Sequence, residues 1–444
     1  MRIALLGFGL EARSAYDFLR KKYPAATFDI YDQNQASKVK TPYGAEVFLG
    51  VSDFSSIEAD LLIRTPAVNP KELPIGANIS SVTNLFFAKC RAPIIGVTGS
   101  KGKGTTASFI AEILRAANIQ THLVGNIGIP ALDKIDEIDE SLVVVYELSS
   151  FQLWDLVFAP KVAVITNIEP DHLDVHDDFE DYVSAKMNIS RLQDSSDYFI
   201  YNSDDGVIKD SVKKLKAENS ANYIPFPNKK FAHIENDYFY WGDNKLFSTK
   251  IVKLPGAHNL MNALAAIDAT YNIFIERGID LKNMNKAWQK GLSSFEGLPH
   301  RLKYVAEKNG VSYYDDSIAT TPGSAIAAIN SFDQPKILIL GGSDKGADLT
   351  ELVDMIAQSD SSDIRSVVLI GDESKNLEKQ LQKRQYNNFI NLGLNTDMNN
   401  IVKVSAELAK PGDIVILSPA HASFDMFKSY ADRGEKFIKA VKEL

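Results

Sequence analysis

The chain of 444 residues has a formal net charge of −9, which argues against a general binder of nucleic acid or anionic membranes, because both need a basic face. Its single cysteine, Cys90, excludes a disulfide framework and a cysteine-based metal site. No apolar run reaches the about 18 residues of a membrane span, and Glu11 and Arg13 interrupt the N-terminal apolar segment, unlike a signal peptide. We therefore expect a cytoplasmic protein of several domains, with no nucleic-acid or membrane partner.

Short apolar runs alternate with helical patterns, which predicts an α/β fold with parallel sheets. A first block, residues 1–92, has strands in "RIALLGFG", "ATFDIYDQ" and "ADLLIRTPAV". A second block, 93–298, opens with the strand "APIIGVTGS" and the helix "TTASFIAEILRAA". It continues with the strands "SLVVVYE" and "KVAVITNIE", a small antiparallel excursion over 220–255, and the helix "GAHNLMNALAAIDAT". A third block, 299–444, has strands in "VSYYDDS", "KILILGGS", "SVVLIGDES" and "DIVILSPA".

A glycine-rich turn joins the first strand and helix of the second block, in "IIGVTGSKGKGTTASFI" at residues 94–110. The phosphate-loop pattern requires a hydroxyl directly after its lysine, but Lys103 is followed by Gly104 and only then by Thr105. Glycines let backbone amides wrap a phosphate, and the following helix adds the positive end of its dipole. The stretch predicts nucleotide binding with Thr105 as a shifted metal ligand, and a mere chain reversal is the alternative. The candidate phosphate-binding residues are Gly99, Ser100, Lys101, Gly102, Lys103, Gly104, Thr105 and Thr106.

Polar residues also follow the next two strands of the second block. Glu147 ends "SLVVVYE", and Asp171, His172 and Asp174 follow "KVAVITNIE". Each alone could be a surface or capping residue. Their joint position at the carboxyl ends of strands beside a phosphate loop predicts a Mg²⁺ site, because Mg²⁺ keeps waters and takes few protein ligands.

The first block carries a second glycine turn. Gly7 and Gly9 are followed by Ala12 in the third position, and Asp32 ends the next strand. This spacing loosely matches a dinucleotide-binding fingerprint, so an NAD-dependent oxidoreductase is an alternative. The same turn also suits a uridine diphosphate at the helix N-terminus, or a purely structural reversal.

An ordered series of short motifs runs through all three blocks. The series resembles the Mur ligases and comprises "TGSKGKGTT", "GNIG" (125–128), "ELSSFQL" (147–153), "NIEPDHLD" (167–174), "AK" (185–186), "GAHNLMNALAA" (256–266) and "PHR" (299–301). Each motif is weak alone, but the order is specific. The C-terminal stretches "DDSIATTP", "GGSDKGADL" and "LSPAHASFDMFKSYADRGEKF" are most similar to Mur ligases that use D-glutamate.

The resemblance implies three domains: a Rossmann-like uridine-nucleotide domain (1–92), a central P-loop ATPase-type domain with a parallel sheet (93–298) and a Rossmann-like amino-acid domain (299–444). It implies that ATP, with Mg²⁺, phosphorylates the carboxylate of UDP-N-acetylmuramoyl-L-alanine. The amine of D-glutamate then attacks the acyl phosphate, and phosphate leaves. The implied role is a step of peptidoglycan-precursor synthesis on small-molecule substrates, by a monomer.

The resemblance also implies residue roles by position. Catalytic roles fall on Lys103, Glu147, His172 and Lys186, the last as a carbamylated lysine. The implied metal ligands are Thr105, Glu147, His172 and the Lys186 carbamate. ATP contacts beyond the loop fall on Asn259, Asn262, Arg301 and Asp316. UDP-sugar contacts fall on Gly9, Leu10, Asp32, Gln33, Asn126, Ser149 and Gln152, and D-glutamate contacts on Thr320, Lys345, Ser423 and Phe424.

Several positions depart from the Mur ligase pattern. Ile318 stands where a lysine is common, Ala67 where glycine is usual, and Glu11 and Arg13 where small residues are common. With Gly104 directly after Lys103, the loop is similar to the Lys-Gly-Ser loop of folylpolyglutamate synthases. A sibling ligase with another amino acid or acceptor therefore stays an alternative, as do the oxidoreductase and a P-loop ATPase module without amino-acid dependence.

Overall fold

The computed structural model describes residues 1–35, 42–127, 129–173, 175–254, 256–343 and 348–444. The chain divides into two compact units, Met1–Phe295 and Glu296–Leu444. The division between them lies three residues before the predicted boundary at 298/299, and the boundary at 92/93 inside the first unit stays a prediction. In the described part of the chain, no helix is long and apolar enough to cross a membrane.

The N-terminal sheet of the first unit is parallel throughout and has the strand order β3-β2-β1-β4-β5. Its strands are β1 (Arg2–Leu6), β2 (Thr27–Asp32), β3 (Ala45–Leu49), β4 (Leu61–Arg64) and β5 (Ile79–Ser81). The chain reverses direction across the sheet between β1 and β4, so the turn after β1 opens at the point where ligands bind in doubly wound sheets.

The central sheet of the first unit is also parallel and has the order β11-β10-β9-β6-β8-β7. Its strands are β6 (Ile94–Thr98), β7 (Thr121–Gly125), β8 (Val143–Glu147), β9 (Val162–Ile165), β10 (Tyr198–Asn202) and β11 (Asn222–Phe226). The chain leaves β6 towards β8 and β7 and then returns to β9 on the other side. The loops after these strands therefore meet beside β6.

A small antiparallel sheet follows, with β12 (Ala232–Glu235), β13 (Tyr238–Trp241) and β14 (Asn244–Ser248). This confirms the predicted excursion except at its start. Expecting antiparallel structure from residue 220 was wrong, because Asn222–Phe226 pairs in parallel with β10 and extends the central sheet.

Helices pack on these sheets in the first unit. They are α1 (Leu10–Lys22), α2 (Val82–Phe87), α3 (Lys103–Ala116), α4 (Ser150–Leu153), α5 (Phe179–Arg191), α6 (Gly206–Leu215), α7 (Ala257–Glu276) and α8 (Leu281–Ser294). Short 3₁₀ turns span Pro70–Glu72, Ala131–Glu137 and Thr249–Ile251. The helix α3 buries Phe109, Ile110, Ile113 and Leu114 against the central sheet, as its helical period predicts.

The second unit has one mixed sheet with the order β15-β16-β20-β17-β18-β19, in which only β15 runs antiparallel to its neighbour. Its strands are β15 (Lys303–Lys308), β16 (Val311–Asp315), β17 (Lys336–Gly341), β18 (Ile364–Ile370), β19 (Phe389–Gly393) and β20 (Ile414–Leu417). Its helices are α9 (Pro322–Ile329), α10 (Thr350–Gln358), α11 (Ser374–Lys383), α12 (Met398–Leu408) and α13 (Tyr430–Glu443). The three large sheets confirm the predicted α/β fold.

Candidate active site

The turn between β6 and α3 is shaped by two positions that require glycine. Gly99 has a φ of +148° and Gly102 a φ of +79°. A Cβ on Gly99 would lie 2.0 Å from Thr166 Oγ1, and one on Gly102 would lie 2.5 Å from Asn262 Oδ1. Thr166 also fixes the loop from outside, because its hydroxyl donates to the Lys101 carbonyl at 2.6 Å. The turn is therefore a tightly held backbone cradle that leads into a helix N-terminus.

Ser100 and Lys101 have different surroundings in this loop. Ser100 is buried, and its Oγ lies 2.9 Å from the Glu169 carbonyl and 2.8 Å from the Tyr182 hydroxyl. Lys101 is exposed, and its ammonium pairs with the Glu169 carboxylate at 2.7 Å. Ser100 therefore anchors the loop to α5, while Lys101 lies on its solvent side.

Lys186, on α5, and Lys103, at the start of α3, reach the same backbone carbonyl. The Lys103 ammonium donates to Gly99 O at 2.9 Å and to Ser100 O at 3.0 Å, and Lys186 Nζ donates to Gly99 O at 2.8 Å. Lys186 is only 2% exposed, and its Nζ lies 4.5 Å from the Tyr182 ring centroid. Burial, with a smaller contribution from Lys103, lowers the pKa of Lys186 to about 6. Near neutral pH its amine is therefore mainly uncharged.

The residues after Lys103 offer a buried hydroxyl. Gly104 and Thr106 are buried, and Thr105 is half-buried. Thr106 Oγ1 is buried and has no hydrogen-bond partner among the described residues. An unpartnered buried hydroxyl costs free energy, so this atom is suited to a bound ligand. Thr106 thus joins Thr105 as a candidate metal ligand in the loop.

Glu147 and Asn126 lie at the same edge of the central sheet as the loop. Glu147, the last residue of β8, pairs in register with Val97 of β6 and is 6% exposed. Asn126 Nδ2 donates to Glu147 Oε1 at 3.2 Å, and the Asn126 amide donates to Glu147 O at 3.0 Å. A buried carboxylate oriented by a neighbouring amide is suited to a cation.

His172 lies on the loop after β9 with a φ of +55° and an exposed side chain. Its backbone amide donates to Asp171 Oδ1 at 3.0 Å, and its ring centroid lies 4.9 Å from that of Phe151. Asp174 lies outside the described residues.

The sequence reading missed His176, which is buried behind His172. His176 Nδ1 lies 2.7 Å from Asp181 Oδ2, and its Nε2 lies 3.0 Å from Ser150 Oγ. Burial lowers the pKa of His176, against the opposing effect of Asp181. A second histidine four residues after His172 was the available signal, but nothing in the sequence alone paired it with Asp181.

Ser149 and Gln152 form a capping box at the start of α4. The Gln152 amide N–H donates to Ser149 Oγ at 3.3 Å, and Ser149 N donates to Gln152 Oε1 at 2.9 Å. Gln152 Nε2 also donates to Glu11 Oε1 at 2.7 Å, which links α4 to the N-terminal sheet's first helix. Burial raises the pKa of Glu11 to about 7. Glu11, a departure from the family pattern, therefore orients a predicted substrate residue.

Asn259 and Asn262 lie in the first turns of α7, and both are buried. Asn262 Nδ2 donates to Asn259 Oδ1 at 3.2 Å. Asn262 also packs directly against Gly102 of the phosphate-loop turn. The structure therefore brings Asn262 to the loop, with Asn259 beside it.

The turn after β1 uses Asp32 to hold itself together. Asp32 Oδ2 accepts from Phe8 N at 2.7 Å, and Oδ1 accepts from Asn34 N at 2.8 Å. Gly9 caps α1, and Leu10 is 72% exposed. Gln33 Nε2 donates to Glu72 Oε2 at 3.3 Å. The exposed N-terminus of α1 is thus available to an anion.

Asp316 and Arg301, the predicted hinge-side ATP residues, lie in the second unit. Asp316 is buried and accepts from Ser418 Oγ at 2.8 Å and from Leu302 N at 3.1 Å. Burial raises the pKa of Asp316 to about 7, against the opposing effect of Ser418 and its other partners. Arg301 is exposed.

The predicted D-glutamate residues also lie in the second unit. Ser423 is 2% exposed, and its Oγ has no hydrogen-bond partner in the part of the chain described. Phe424 is 69% exposed, and Thr320 is half-buried before α9. Lys345 lies outside the described residues. Ser423 thus has the buried, unsatisfied hydroxyl that a polar ligand could use.

The residues at this edge of the central sheet offer few ligands to a metal ion. Within the described ranges, no group of three or more His, Cys, Asp or Glu side chains is arranged to hold a metal ion. Mg²⁺ keeps several waters and takes only one or two carboxylates. The buried Glu147 carboxylate and the unpartnered Thr106 hydroxyl fit such a sparsely coordinated ion.

Two family models match the chain. The Mur ligase middle domain matches residues 97–270, and the Mur ligase glutamate ligase domain matches residues 300–421. The UDP-N-acetylmuramoylalanine–D-glutamate ligase of Acetivibrio thermocellus is 36% identical over 100% of this chain and 96% of its own length. The ligases of that name from Symbiobacterium thermophilum (36% over 87% and 84%) and Clostridium botulinum (33% over 100% and 97%) are also similar.

Solved structures share the fold at low sequence identity. The MurF ligase of Thermotoga maritima, in complex with ADP, has a TM-score of 0.54 at 17% identity. The match covers 99% of this chain and 95% of that ligase. E. coli FolC, in complex with DHPP and ADP, has a TM-score of 0.55 at 15% identity, covering 81% of this chain and 92% of its own. Because the identity to full-length relatives exceeds 30%, the chain belongs to the Mur ligase family.

Proposed function

We propose that the chain joins D-glutamate to UDP-N-acetylmuramoyl-L-alanine in an ATP-dependent reaction of peptidoglycan-precursor synthesis. The observation that carries this proposal is the convergence of Lys103 and buried Lys186 on the carbonyl of Gly99 in the phosphate loop. A simple chain reversal has no need of two lysines there. The full-length relatives, whose names state this activity, support the choice of acceptor and amino acid.

Lys103 would bind the terminal phosphates of ATP. Its ammonium rests on two loop carbonyls, so a bound triphosphate could draw it from these carbonyls onto the phosphate oxygens. The loop amides, with the N-terminus of α3, would hold the other phosphates. The neighbouring Asn262 and Asn259 would support the nucleotide at the loop. The role of this set is to stabilise the charge that develops as the γ-phosphoryl group moves to the acceptor carboxylate.

Lys186 is suited to become a carbamate. Its uncharged Nζ would attack the carbon of CO₂, forming a C–N bond, while a proton leaves the nitrogen for solvent. The product is an anion where an ammonium would repel a cation. Near neutral pH the low pKa of Lys186 supplies the uncharged amine that this step needs.

Mg²⁺ would be held by Glu147, Thr105 or Thr106, His172 and the Lys186 carbamate. When bound, it neutralises the charge of the crowded phosphates and carboxylate. Asn126, which donates to Glu147, would orient that ligand.

The acceptor would lie between the N-terminal and central sheets of the first unit. Gly9, Leu10, Asp32 and Gln33 are proposed for its uridine diphosphate end. Asn126, Ser149 and Gln152 are proposed for its sugar end. Phosphorylation turns its poor carboxylate electrophile into an acyl phosphate with a leaving group.

D-Glutamate would be bound by residues of the second unit. Lys345 and Ser423 would receive its carboxylates, with Thr320 and Phe424 beside them. Arg301 and Asp316 are proposed to contact ATP. The amine would attack the acyl carbon, forming the amide while phosphate leaves and the nitrogen releases a proton. We further propose that the enzyme is a cytoplasmic monomer. Light scattering of the purified protein tests its oligomeric state.

The test is phosphate release from ATP with UDP-N-acetylmuramoyl-L-alanine, across a panel of D- and L-amino acids. Rapid release and amide formation are expected only with D-glutamate. Preference for another amino acid would favour a sibling ligase. Release that ignores both acceptor and amino acid would favour a P-loop ATPase module. Binding of NAD at the turn after β1, without ligation, would favour the oxidoreductase.

A further inference from the structure

Side chains of the 3₁₀ turn Pro70–Glu72 bond to two different parts of the first unit. Asn69 caps this turn by accepting from Lys71 N at 3.0 Å. On one side, Gln33 Nε2, in the proposed uridine diphosphate site, donates to Glu72 Oε2 at 3.3 Å. On the other side, the Lys71 ammonium contacts the start of α5 in the central part of the unit. Adjacent residues of one capped turn therefore point to two different sites.

The Lys71 ammonium pairs with Asp181, whose carboxylate also binds the buried His176. Its Nζ lies 2.5 Å from Asp177 and 3.2 Å from Asp181 Oδ1. The other oxygen of Asp181 lies 2.7 Å from His176 Nδ1, whose side chain is wholly buried. The far nitrogen of His176 reaches Ser150 Oγ at 3.0 Å. The path from Lys71 into the core is therefore continuous at hydrogen-bond distances.

His176 adjoins the elements that carry the candidate catalytic groups. Its backbone amide donates to the carbonyl of His172 at 3.0 Å. Its ring contacts that of Tyr182 at a centroid distance of 5.2 Å, and the Tyr182 hydroxyl lies 2.8 Å from Ser100 Oγ in the phosphate loop. Ser150, its other partner, opens α4 three residues after Glu147. A shift of His176 would therefore be felt by all three segments.

We propose that Lys71, Asp181 and His176 form a positioning relay that couples the nucleotide-sugar site of the N-terminal sheet to the phosphate loop. Occupation of the turn after β1 would move Gln33 and Glu72, and Lys71 would pass that movement to Asp181 and His176. The relay rests on the proposed function, because it assigns the uridine end of the acceptor as the signal. These residues position other groups and do not touch the reacting atoms.

Trp154 reports on this relay directly. Its Nε1 donates to Asp181 Oδ2 at 3.3 Å, and its ring centroid lies 4.4 Å from that of His176. Trp241 and Trp288 belong to other parts of the unit. Subtracting the emission of a Trp154→Phe variant therefore isolates the signal of the relay.

A matched control is a second ion pair that joins the N-terminal and central parts of the first unit. Lys21, on α1, pairs with Asp136, in the turn Ala131–Glu137, at 2.7 Å, and both side chains are more than 70% exposed. Lys71→Met and Lys21→Met each remove one cross-link of the same type. Only the first removes a member of the relay, and both substituted lysines are more than half exposed.

The experiment measures Trp154 emission while UDP alone is titrated, with UDP affinity measured separately by calorimetry. We expect a change in emission in the wild type and in Lys21→Met, its loss in Lys71→Met, and its recovery in Lys71→Arg. UDP affinity should stay within about threefold in all four proteins, because an exposed ion pair contributes little to binding.

Turnover gives a second readout. We expect Lys71→Met to lower kcat with little effect on the KM for ATP, and His176→Asn to lower kcat by about 10- to 100-fold, as for partners that orient catalytic groups. The double variant Lys71→Met/His176→Asn should be no slower than His176→Asn alone.

The relay would be overturned, with the proposed function left intact, by UDP binding without a Trp154 response or by a response that survives Lys71→Met. Additive losses of turnover in the double variant would also overturn it. Absence of UDP binding to the wild type would instead contradict the proposed acceptor site and remove the relay with it.

Discussion

Lys103 and Lys186 donate to one backbone oxygen, the carbonyl of Gly99. Two ammonium groups at one atom would repel each other, and Lys186 is also shielded from water. The uncharged state of Lys186 resolves both conflicts and leaves Lys103 as the charged member of the pair. This division would let Lys103 clamp phosphate from the loop, while Lys186 on α5 supplies the uncharged amine that the proposed carbamate requires.

We predict that Lys186→Ala abolishes most ligation because the carbamate is lost. Acetate, which is small enough to enter the space left by the side chain, should restore part of the activity by supplying a carboxylate. The measurement is ligation rate against acetate concentration. As a control, Lys213→Ala, at an exposed lysine of α6, should be fully active and insensitive to acetate. Full activity of Lys186→Ala without acetate would show that no carbamate is needed.

We predict that Lys103→Ala lowers kcat/KM for ATP by about 100- to 1000-fold, because it removes a donor to charge that develops on the phosphates. Steady-state kinetics with saturating acceptor and D-glutamate measure this loss. Lys101→Ala, at the exposed side of the same loop, should lose less. Near-normal turnover of Lys103→Ala would contradict the assigned phosphate clamp.

Glu11 gives a pH-dependent prediction. Its pKa of about 7 in the folded chain lies above its ordinary value of 4.5. The native state therefore holds a proton that the unfolded state releases between these values, and the free energy of unfolding falls as pH rises through that window. Glu11→Gln keeps the contact with Gln152 and removes the charge. We expect it to be more stable than wild type by about 1–3 kcal/mol at pH 8.

Urea unfolding at pH 4 and pH 8 measures this difference, which should vanish at pH 4, where the glutamate is neutral. Arg64 partly stabilises the Glu11 carboxylate, so the gain should lie below the full effect of burial. Asp17→Asn, at an exposed position of α1, is the control for loss of a carboxylate from the same helix. An equal gain at both pH values would mean that packing, and not charge, is the cause.

Ser423 provides a prediction that separates binding from stability. Its Oγ has no partner among the described residues, so Ser423→Ala should change the free energy of unfolding by less than about 0.5 kcal/mol. If this hydroxyl bonds a substrate carboxylate, the KM for D-glutamate should rise about tenfold, while that for ATP stays constant. Ser405→Ala removes a buried hydroxyl bonded to Ile401 O and should change neither KM. Equal increases for both substrates would contradict the assigned amino-acid site.

Much of the fold could be predicted because the inner strands are continuous apolar runs. Ile94–Thr98 and Lys336–Gly341 are buried along their whole length, which is the pattern of a parallel strand covered on both faces. The strands Lys303–Lys308 and Phe389–Gly393 are among those that were not predicted. They lie at the edges of their sheet and are half-exposed, so their apolar signal is weak.

The candidate site was predictable where motifs carry it and not where contacts come from distant segments. The spacing of the glycines predicted the phosphate loop, and the position of Glu147 at a strand end of the same sheet predicted that it lies near that loop. Nothing in the pattern of α5 indicated that Lys186 is buried against Gly99, 87 residues away in the chain. The contact between Glu11 and Gln152 joins residues 141 apart, and only tertiary packing shows it.

The most direct measurement uses UDP-N-acetylmuramoyl-L-alanine labelled with ¹⁸O in its carboxylate, with ATP and D-glutamate. If the carboxylate is phosphorylated at the loop, one ¹⁸O atom should appear in each inorganic phosphate formed, and mass spectrometry detects it. Unlabelled phosphate, formed at the same rate as the amide product, would show that the phosphoryl group never reaches the acid and would contradict the proposed chemistry.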